Sequence, residues 1–186
     1  MRDACGVIKY QNHESRITNH ASRRRIMNYA DWEKEISRAL KEDALWKVQA
    51  YRLGLFTADI GWPDVTKLDK DRRTRRLSDQ LYRALGSVSA NIAEGYSRSS
   101  HKDQVRFYEY ALGSARESRG WYFKGRHVLG DAVTEHRMQL LTQIIRLLLS
   151  TIPQHRLQVI REEPAPYLPG PLPTLSLDIL LQNIPF

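Results

Sequence analysis

The stretch 87–100, Ser-Val-Ser-Ala-Asn-Ile-Ala-Glu-Gly-Tyr-Ser-Arg-Ser-Ser, is the most informative about the fold, because one helix is predicted to end in it and the next to begin there. Apolar residues recur at intervals of three or four upstream, which predicts an amphipathic helix from residue 77 to about residue 96. Its second half is dense in small residues, which allow another helix to come close. Ser100, with Asp103 three residues later, predicts the capped start of the following helix.

The same periodicity predicts two further helices downstream of this stretch. The helix that starts at Ser100 runs to Gly130, and Gly113 and Gly120, seven residues apart, predict a close contact with a neighbouring helix. The last helix begins near Asp131, has the widest apolar stripe, and is predicted to end at Pro153 because proline lacks the backbone amide that a helix needs.

Upstream, a first helix is predicted from Ala30, with a kink near residues 42–43. Gly61-Trp62-Pro63 is predicted to stop this first helix.

These helices predict an all-α fold: an antiparallel up-down four-helix bundle over residues 30–153. Residues 1–29 are predicted to be a flexible basic arm, and residues 154–186 a flexible, extended proline-rich tail. Within that tail, residues 175–181 form either part of a mobile terminus, the favoured interpretation, or a short amphipathic turn docked on the bundle or on a partner.

Composition excludes several classes of protein. The chain has 186 residues, and its single cysteine, Cys5, excludes an internal disulfide framework and a cysteine-based zinc cluster. No apolar run is long enough to span a bilayer, and the N-terminus lacks the apolar core of a signal peptide. We therefore expect a cytoplasmic protein with no membrane association.

The net charge of +8 is unevenly distributed. Half of it lies in residues 1–30, which are either a nucleic-acid-contacting arm or a leader upstream of a start at Met27. A second basic cluster lies at residues 67–76, and Arg83 follows it seven residues after Arg76. This cluster is present whichever residue is the true start of the protein. We interpret it as a phosphate-binding surface, the alternative being a solvated helix start or a surface that pairs with carboxylates of a neighbouring subunit. The candidate nucleic-acid-binding residues are Lys67, Lys70, Arg72, Arg73, Arg75, Arg76 and Arg83, of which Arg72, Arg75, Arg76 and Arg83 are expected to share one broad helix face.

No catalytic or cofactor-binding constellation is found. The sequence lacks a phosphate-binding glycine loop, a nucleophile elbow and a paired-histidine zinc motif, so we expect no enzymatic activity, no cofactor and no metal site. His127 and His136 flank the turn between the last two helices and are expected to be surface residues. Glu94 is predicted to be a partly buried carboxylate that fixes helix register with a partner such as Arg98.

The run Asn91–Tyr96, followed by an aromatic and a Gly-Ser pair before a glutamate, resembles a family of four-helix-bundle proteins. That family is named for intervening sequences of bacterial 23S ribosomal RNA genes and is also labelled S23 ribosomal protein. Ser89 replaces the usual proline and Ser97 the usual glycine. The matching positions, interpreted as structural, are Asn91, Glu94, Gly95, Tyr96, Arg98, Phe107, Gly113, Ser114 and Glu117.

This resemblance implies an antiparallel bundle that assembles into a homopentamer without known enzymatic activity. A distantly similar bundle, the accessory variability determinant of diversity-generating retroelements, binds nucleic acid and a reverse transcriptase, an analogy at the level of fold only. We therefore expect a homo-oligomer that binds RNA or DNA through phosphate contacts of a basic rim. The alternative is a protein-interaction scaffold or an accessory subunit of a nucleic-acid enzyme such as a reverse transcriptase.

Overall fold

The computed structural model describes residues 28–157, 177–182 and 185, and in these ranges every regular element is helical. The predicted arm and most of the predicted tail lie outside the described residues. The elements are α1 (Tyr29–Glu35), α2 (Arg38–Lys41), a short 3-10 helix (Ala44–Lys47), α3 (Gln49–Asp69), α4 (Arg75–Tyr96), α5 (His101–Leu129), α6 (Asp131–Leu157) and α7 (Leu177–Gln182).

Helices α3 to α6 are long, and each packs against the next, while α3 also packs against α6. Helices α3 and α4 run in opposite directions. Early in α3, a Cβ at Gly54 would lie 3.3 Å from the Cβ of Ser89 near the end of α4. Late in α3, the Val65 carbonyl accepts a hydrogen bond from the Ser78 hydroxyl at 2.8 Å. The prediction of an all-α helical bundle is confirmed.

The sequence located several helix ends correctly. The Ser100 hydroxyl accepts a hydrogen bond from the Asp103 amide at 3.4 Å and so caps α5. Gly130 ends α5 with a φ of +88°, a conformation that residues with a Cβ rarely adopt. The chain can therefore turn at once into α6, which begins at Asp131.

The predicted stops at Pro63 and Pro153 are wrong, since α3 continues to Asp69 and α6 to Leu157. A proline in a helix removes one backbone hydrogen bond, but the residues beyond Pro63 include the buried Val65 and Leu68. Burying such side chains contributes about 1.5–3 kcal/mol each, which offsets a cost of about 3 kcal/mol for the proline.

The predicted first helix is instead three short elements followed by α3. Ile36, Asp43 and Val48 have extended backbone conformations, so the chain bends at three places before α3 begins. These bends lay Trp32 of α1 against Phe56 and Ile60 of α3 and Leu140 of α6, forming a second apolar cluster beside the main core. Helix α7 contacts both α6 and α1, so residues 177–182 are docked on the bundle rather than part of a mobile terminus.

The predicted helix contact at Gly113 and Gly120 is also wrong. Both glycines are exposed, and a Cβ added at either would meet no atom within 4 Å. The close approaches occur elsewhere: a Cβ at Gly95 would lie 2.8 Å from the Tyr108 ring, and one at Gly125 would lie 3.1 Å from Leu68. Seven-residue spacing identified one side of α5 but not which side faces the core.

Candidate nucleic-acid interface

The predicted basic cluster lies where α3 ends and α4 begins. Lys67 is in the last turn of α3, residues 70–73 form the connection, and Arg75 and Arg76 open α4. Arg83 follows two turns further along α4. The structure places all seven candidates on the exposed surface: Lys67, Lys70, Arg72, Arg73, Arg75, Arg76 and Arg83.

The connection is anchored to the core by side-chain hydrogen bonds. The Thr74 hydroxyl donates to the Leu68 carbonyl at 2.6 Å, and the Ser78 hydroxyl donates to the Val65 carbonyl. Leu68 is fully buried, so the backbone that carries the cations is attached to an immobile part of the bundle. The positive charges therefore project from a defined support.

Two of the seven cations already have carboxylate partners. The Arg73 guanidinium donates to both carboxylate oxygens of Asp71, at 3.0 and 2.7 Å, and these hydrogen bonds lower the pKa of Asp71 to about 2. Arg75 lies 3.4 Å from Asp69. Both arginines remain exposed, so the pairing partly neutralises their charge without preventing contact with a ligand.

The other cations differ from these two. Within the part of the chain that the structure describes, no carboxylate lies within ion-pair distance of Lys70, Arg72, Arg76 or Arg83. The Lys67 ammonium donates to a backbone carbonyl, that of Leu129, at 3.4 Å. These five residues therefore carry the charge available to a phosphate.

The expectation that four arginines share one helix face is only partly right. Arg72 belongs to the connection, not to a helix, so helical spacing does not apply to it. On α4, Arg76 and Arg83 are seven residues apart and share a face, whereas Arg75 is displaced by about 100°. The cations are spread over the last turn of α3, the connection and two faces of α4 instead of forming one stripe.

The end of α5 extends this basic surface, a feature that sequence reasoning missed. The hydrogen bond from Lys67 to Leu129 places the end of α5 beside the α3–α4 connection. The Arg126 guanidinium lies 4.1 Å from the centroid of the exposed Phe123 ring, and Lys124 lies 4.1 Å from that of Trp121. These cations are about 50 residues from the predicted cluster, so no local pattern relates the two groups.

Most of the residues that carry the family resemblance lie around the opposite end of the bundle, where α4 ends and α5 begins, and the others lie in the middle of α5. Gly95 lets the Tyr108 ring and the Phe107 Cβ approach α4, and the Asn91 amide donates to the Ser87 carbonyl at 2.8 Å. The Arg98 guanidinium stacks 4.9 Å from the centroid of Phe107. Further along α5, the Ser114 hydroxyl donates to the Tyr110 carbonyl, and Glu117 accepts from the Trp121 indole.

Glu94 differs from its prediction in one respect. It does pair with Arg98, but the side chains are 47% and 44% exposed, so the carboxylate is not buried. An exposed pair four residues apart contributes only about 0.3–0.5 kcal/mol. Glu94 therefore cannot fix helix register through the cost of a buried charge.

The buried charges are elsewhere, and sequence reasoning did not identify them. Arg137 of α6 donates from Nε to Asp64 Oδ2 at 2.8 Å, and the Tyr122 hydroxyl donates to the same oxygen at 3.0 Å. Burial and the Asp64 charge raise the pKa of Tyr122 well above its usual value. His136, expected on the surface, is buried beside Arg137 and accepts its hydrogen bond at 2.8 Å. A signal was present, because Asp64 and Arg137 interrupt apolar stripes.

A cavity of about 640 Å³ lies at the end of the bundle near the family-motif residues. Its lining includes Ile92, Tyr96, Gln104, Tyr108 and His155. The His155 ring packs against Tyr108 at a centroid distance of 5.5 Å, and its Nδ1 lies 3.4 Å from that of His101. Burial, together with His101, lowers the pKa of His155.

Neither a metal site nor a membrane span is found in the described residues. In residues 28–157, 177–182 and 185, no group of three or more histidine, cysteine, aspartate or glutamate side chains is arranged to hold a metal ion. No helix in the same ranges is long and apolar enough to cross a membrane.

The described part of the chain is thus a small all-helical bundle that carries a cluster of exposed cations at one end. Residues 62–150 match the model of the 23S rRNA-intervening sequence protein family, which confirms the resemblance seen in the sequence. The crystal structure of a protein of unknown function from the S23 ribosomal protein family of Bacteroides thetaiotaomicron is similar, with a TM-score of 0.51 and 24% identity. The similarity covers 55% of this chain and 97% of that chain. No curated protein matches the chain.

Proposed function

We propose that this protein is a non-enzymatic nucleic-acid-binding bundle that holds RNA or DNA phosphates at the α3–α4 end. The observation that carries the proposal is a set of exposed cations with no carboxylate partner among the described residues, two on the anchored connection and two on α4: Lys70, Arg72, Arg76 and Arg83. Such contacts position a nucleic acid without reading its bases, so binding is independent of sequence and falls steeply with salt.

The proposal includes self-assembly. The family resemblance implies a homopentamer, and a ring of identical subunits repeats each basic end around one axis. Repetition matters because a single subunit supplies only a few phosphate contacts, whereas five linked surfaces bind with avidity. Sedimentation velocity of the full chain tests this part of the proposal, and a monomer at micromolar concentration would contradict it.

Fluorescence anisotropy with a labelled RNA hairpin tests the binding. Replacing Lys70, Arg72, Arg76 and Arg83 with glutamine should lower affinity at least tenfold. It should also flatten the dependence of log K on log salt by about one unit for each phosphate that the variant no longer binds. The matched control is Arg73→Gln with Arg75→Gln, which removes two cations that are already paired. Unchanged affinity in the fourfold variant would overturn the proposal.

Replacing Asp79 should change the affinity for the hairpin in the opposite direction. It is exposed on α4 between Arg76 and Arg83, where a negative charge repels phosphate. Asp79→Asn should therefore raise the affinity for the same hairpin, by about two- to fivefold at low salt, and the gain should shrink as salt screens the charges.

A second candidate function is a protein-interaction scaffold or accessory subunit, for example of a reverse transcriptase. The exposed rings of Tyr110 and Phe123 on α5, which are 53% and 52% exposed, favour it. A partner that the full chain retains after nuclease treatment, and no longer retains when both rings are replaced by alanine, would support the scaffold.

A further inference from the structure

An exposed pair of aromatic rings lies on the outer face of α3 and α4. Trp62 is 55% exposed and Tyr82 is 48% exposed, and their centroids are 5.5 Å apart with an interplanar angle of 71°. Elsewhere on the bundle, Arg126 lies against Phe123 and Lys124 against Trp121. Among the described residues, the Trp62–Tyr82 pair is the one in which two strongly exposed aromatic rings contact each other.

This aromatic pair lies close to the basic cluster. Tyr82 directly precedes Arg83, about 100° from it around α4, and is six residues beyond Arg76, about 9 Å along the helix axis. Trp62 lies on α3, five residues before Lys67. The hydrogen bond between Ser78 and Val65 joins the two helices between the rings and the connection. The rings and the cations are therefore carried by one rigid helical hairpin.

The next turn of α4 leaves access to the rings open. Gly86, four residues after Tyr82, is exposed, and a Cβ at that position would meet no atom within 4 Å. A planar group approaching from this side encounters no side chain at position 86. Large exposed aromatic surface is costly in water, so a ligand that covers these rings gains apolar burial.

We propose that Trp62 and Tyr82 stack on unpaired bases of a single-stranded nucleic acid whose phosphates lie on Arg76 and Arg83. This inference rests on the proposed function and specifies its partner as single-stranded. In a duplex the base faces are stacked on each other, whereas every base of a single strand has an accessible face. Aromatic rings beside a basic track are the combination that binds single strands with little sequence preference.

Anisotropy with a labelled oligo(U), an oligo(dT) and a DNA duplex of equal length tests the proposal on the full chain. Trp62→Ala should weaken binding of the single strands about 5- to 150-fold, the range for removal of one stacked base, and leave duplex binding within about twofold. Trp62→Phe is the matched control, because it keeps a ring and should retain most of the affinity. Arg76→Gln with Arg83→Gln should weaken binding of all three ligands.

Tryptophan fluorescence provides a second measurement. Oligo(dT) should quench the emission of the wild-type protein, and most of this quenching should disappear in Trp62→Phe although that variant still binds. The proposal is overturned if Trp62→Ala lowers the affinity for the duplex and for the single strands equally, or if it changes neither affinity. It is also overturned if the substitution abolishes self-association instead. The proposed function fails as well if Arg76→Gln with Arg83→Gln leaves the affinity for all three ligands unchanged, or if the wild type binds no nucleic acid.

Discussion

Arg137 and Asp64 form an ion pair in the interior of the bundle, with Nε 2.8 Å from Oδ2 and side chains that are 0% and 5% exposed. The two residues are 73 positions apart, and their contact joins α6 to α3. Arg137 also donates to His136 and to the Pro185 carbonyl, so the C-terminal segment contacts the same group.

Removing one member of this pair should strongly destabilise the fold. Arg137→Met leaves the Asp64 carboxylate buried without its cation, and we expect the free energy of unfolding to fall by about 3–5 kcal/mol in urea denaturation followed by circular dichroism. Asp64→Leu combined with Arg137→Met should cost much less than the sum of the single changes. Additive losses would show that the two charges do not stabilise each other.

Glycines at different positions should respond to alanine in opposite ways. Gly95→Ala places a Cβ 2.8 Å from the Tyr108 ring and 3.1 Å from the Phe107 Cβ, so overpacking should cost about 1–3 kcal/mol. Gly113→Ala, on the exposed face of α5, should instead stabilise the protein by up to about 1 kcal/mol, because alanine favours helix and nothing obstructs it. Thermal unfolding of both variants measures the difference, and equal effects would contradict the packing described.

Docking of α1 on the bundle should depend on Trp32. This residue is 1% exposed, and its indole donates to Asp59 at 2.8 Å. Trp32→Ala should lower the free energy of unfolding by about 3–5 kcal/mol, as large-to-small changes in a core do. Leu40→Ala is the control, since Leu40 is 41% exposed and its removal should cost less than about 0.5 kcal/mol. Equal costs would mean that α1 is not packed as described.

Stability should decrease in mildly acidic solution because of His155. Burial and His101 lower the pKa of His155 in the folded protein, so the unfolded chain binds the proton first as the pH falls. The decrease begins near the unfolded pKa of about 6.5 and stops growing below the folded pKa. Melting temperatures between pH 7.5 and 5 should fall less for His155→Phe than for the wild type. His127→Gln, at an exposed position, should not change the profile.

Local patterns were sufficient where a local interaction decides the structure. The capping serine at position 100 and the glycine at position 130 act on backbone groups within four residues, and both mark true ends of α5. The basic cluster at 67–76 was likewise identified from spacing and charge, and its residues are exposed. What spacing did not show is that Asp71 and Asp69 pair with Arg73 and Arg75, which divides the cluster into paired and available cations.

Periodicity, capping and charge are properties of neighbouring residues, so the sequence alone predicts a bundle of amphipathic helices with cations between the first two long apolar stripes. Packing between helices set the other features. It carried α3 through Pro63, buried Asp64 against Arg137, and placed Trp62 beside Tyr82. Each of these outcomes depends on which helix faces meet, and the packing energy of such contacts exceeds the local preferences that oppose them.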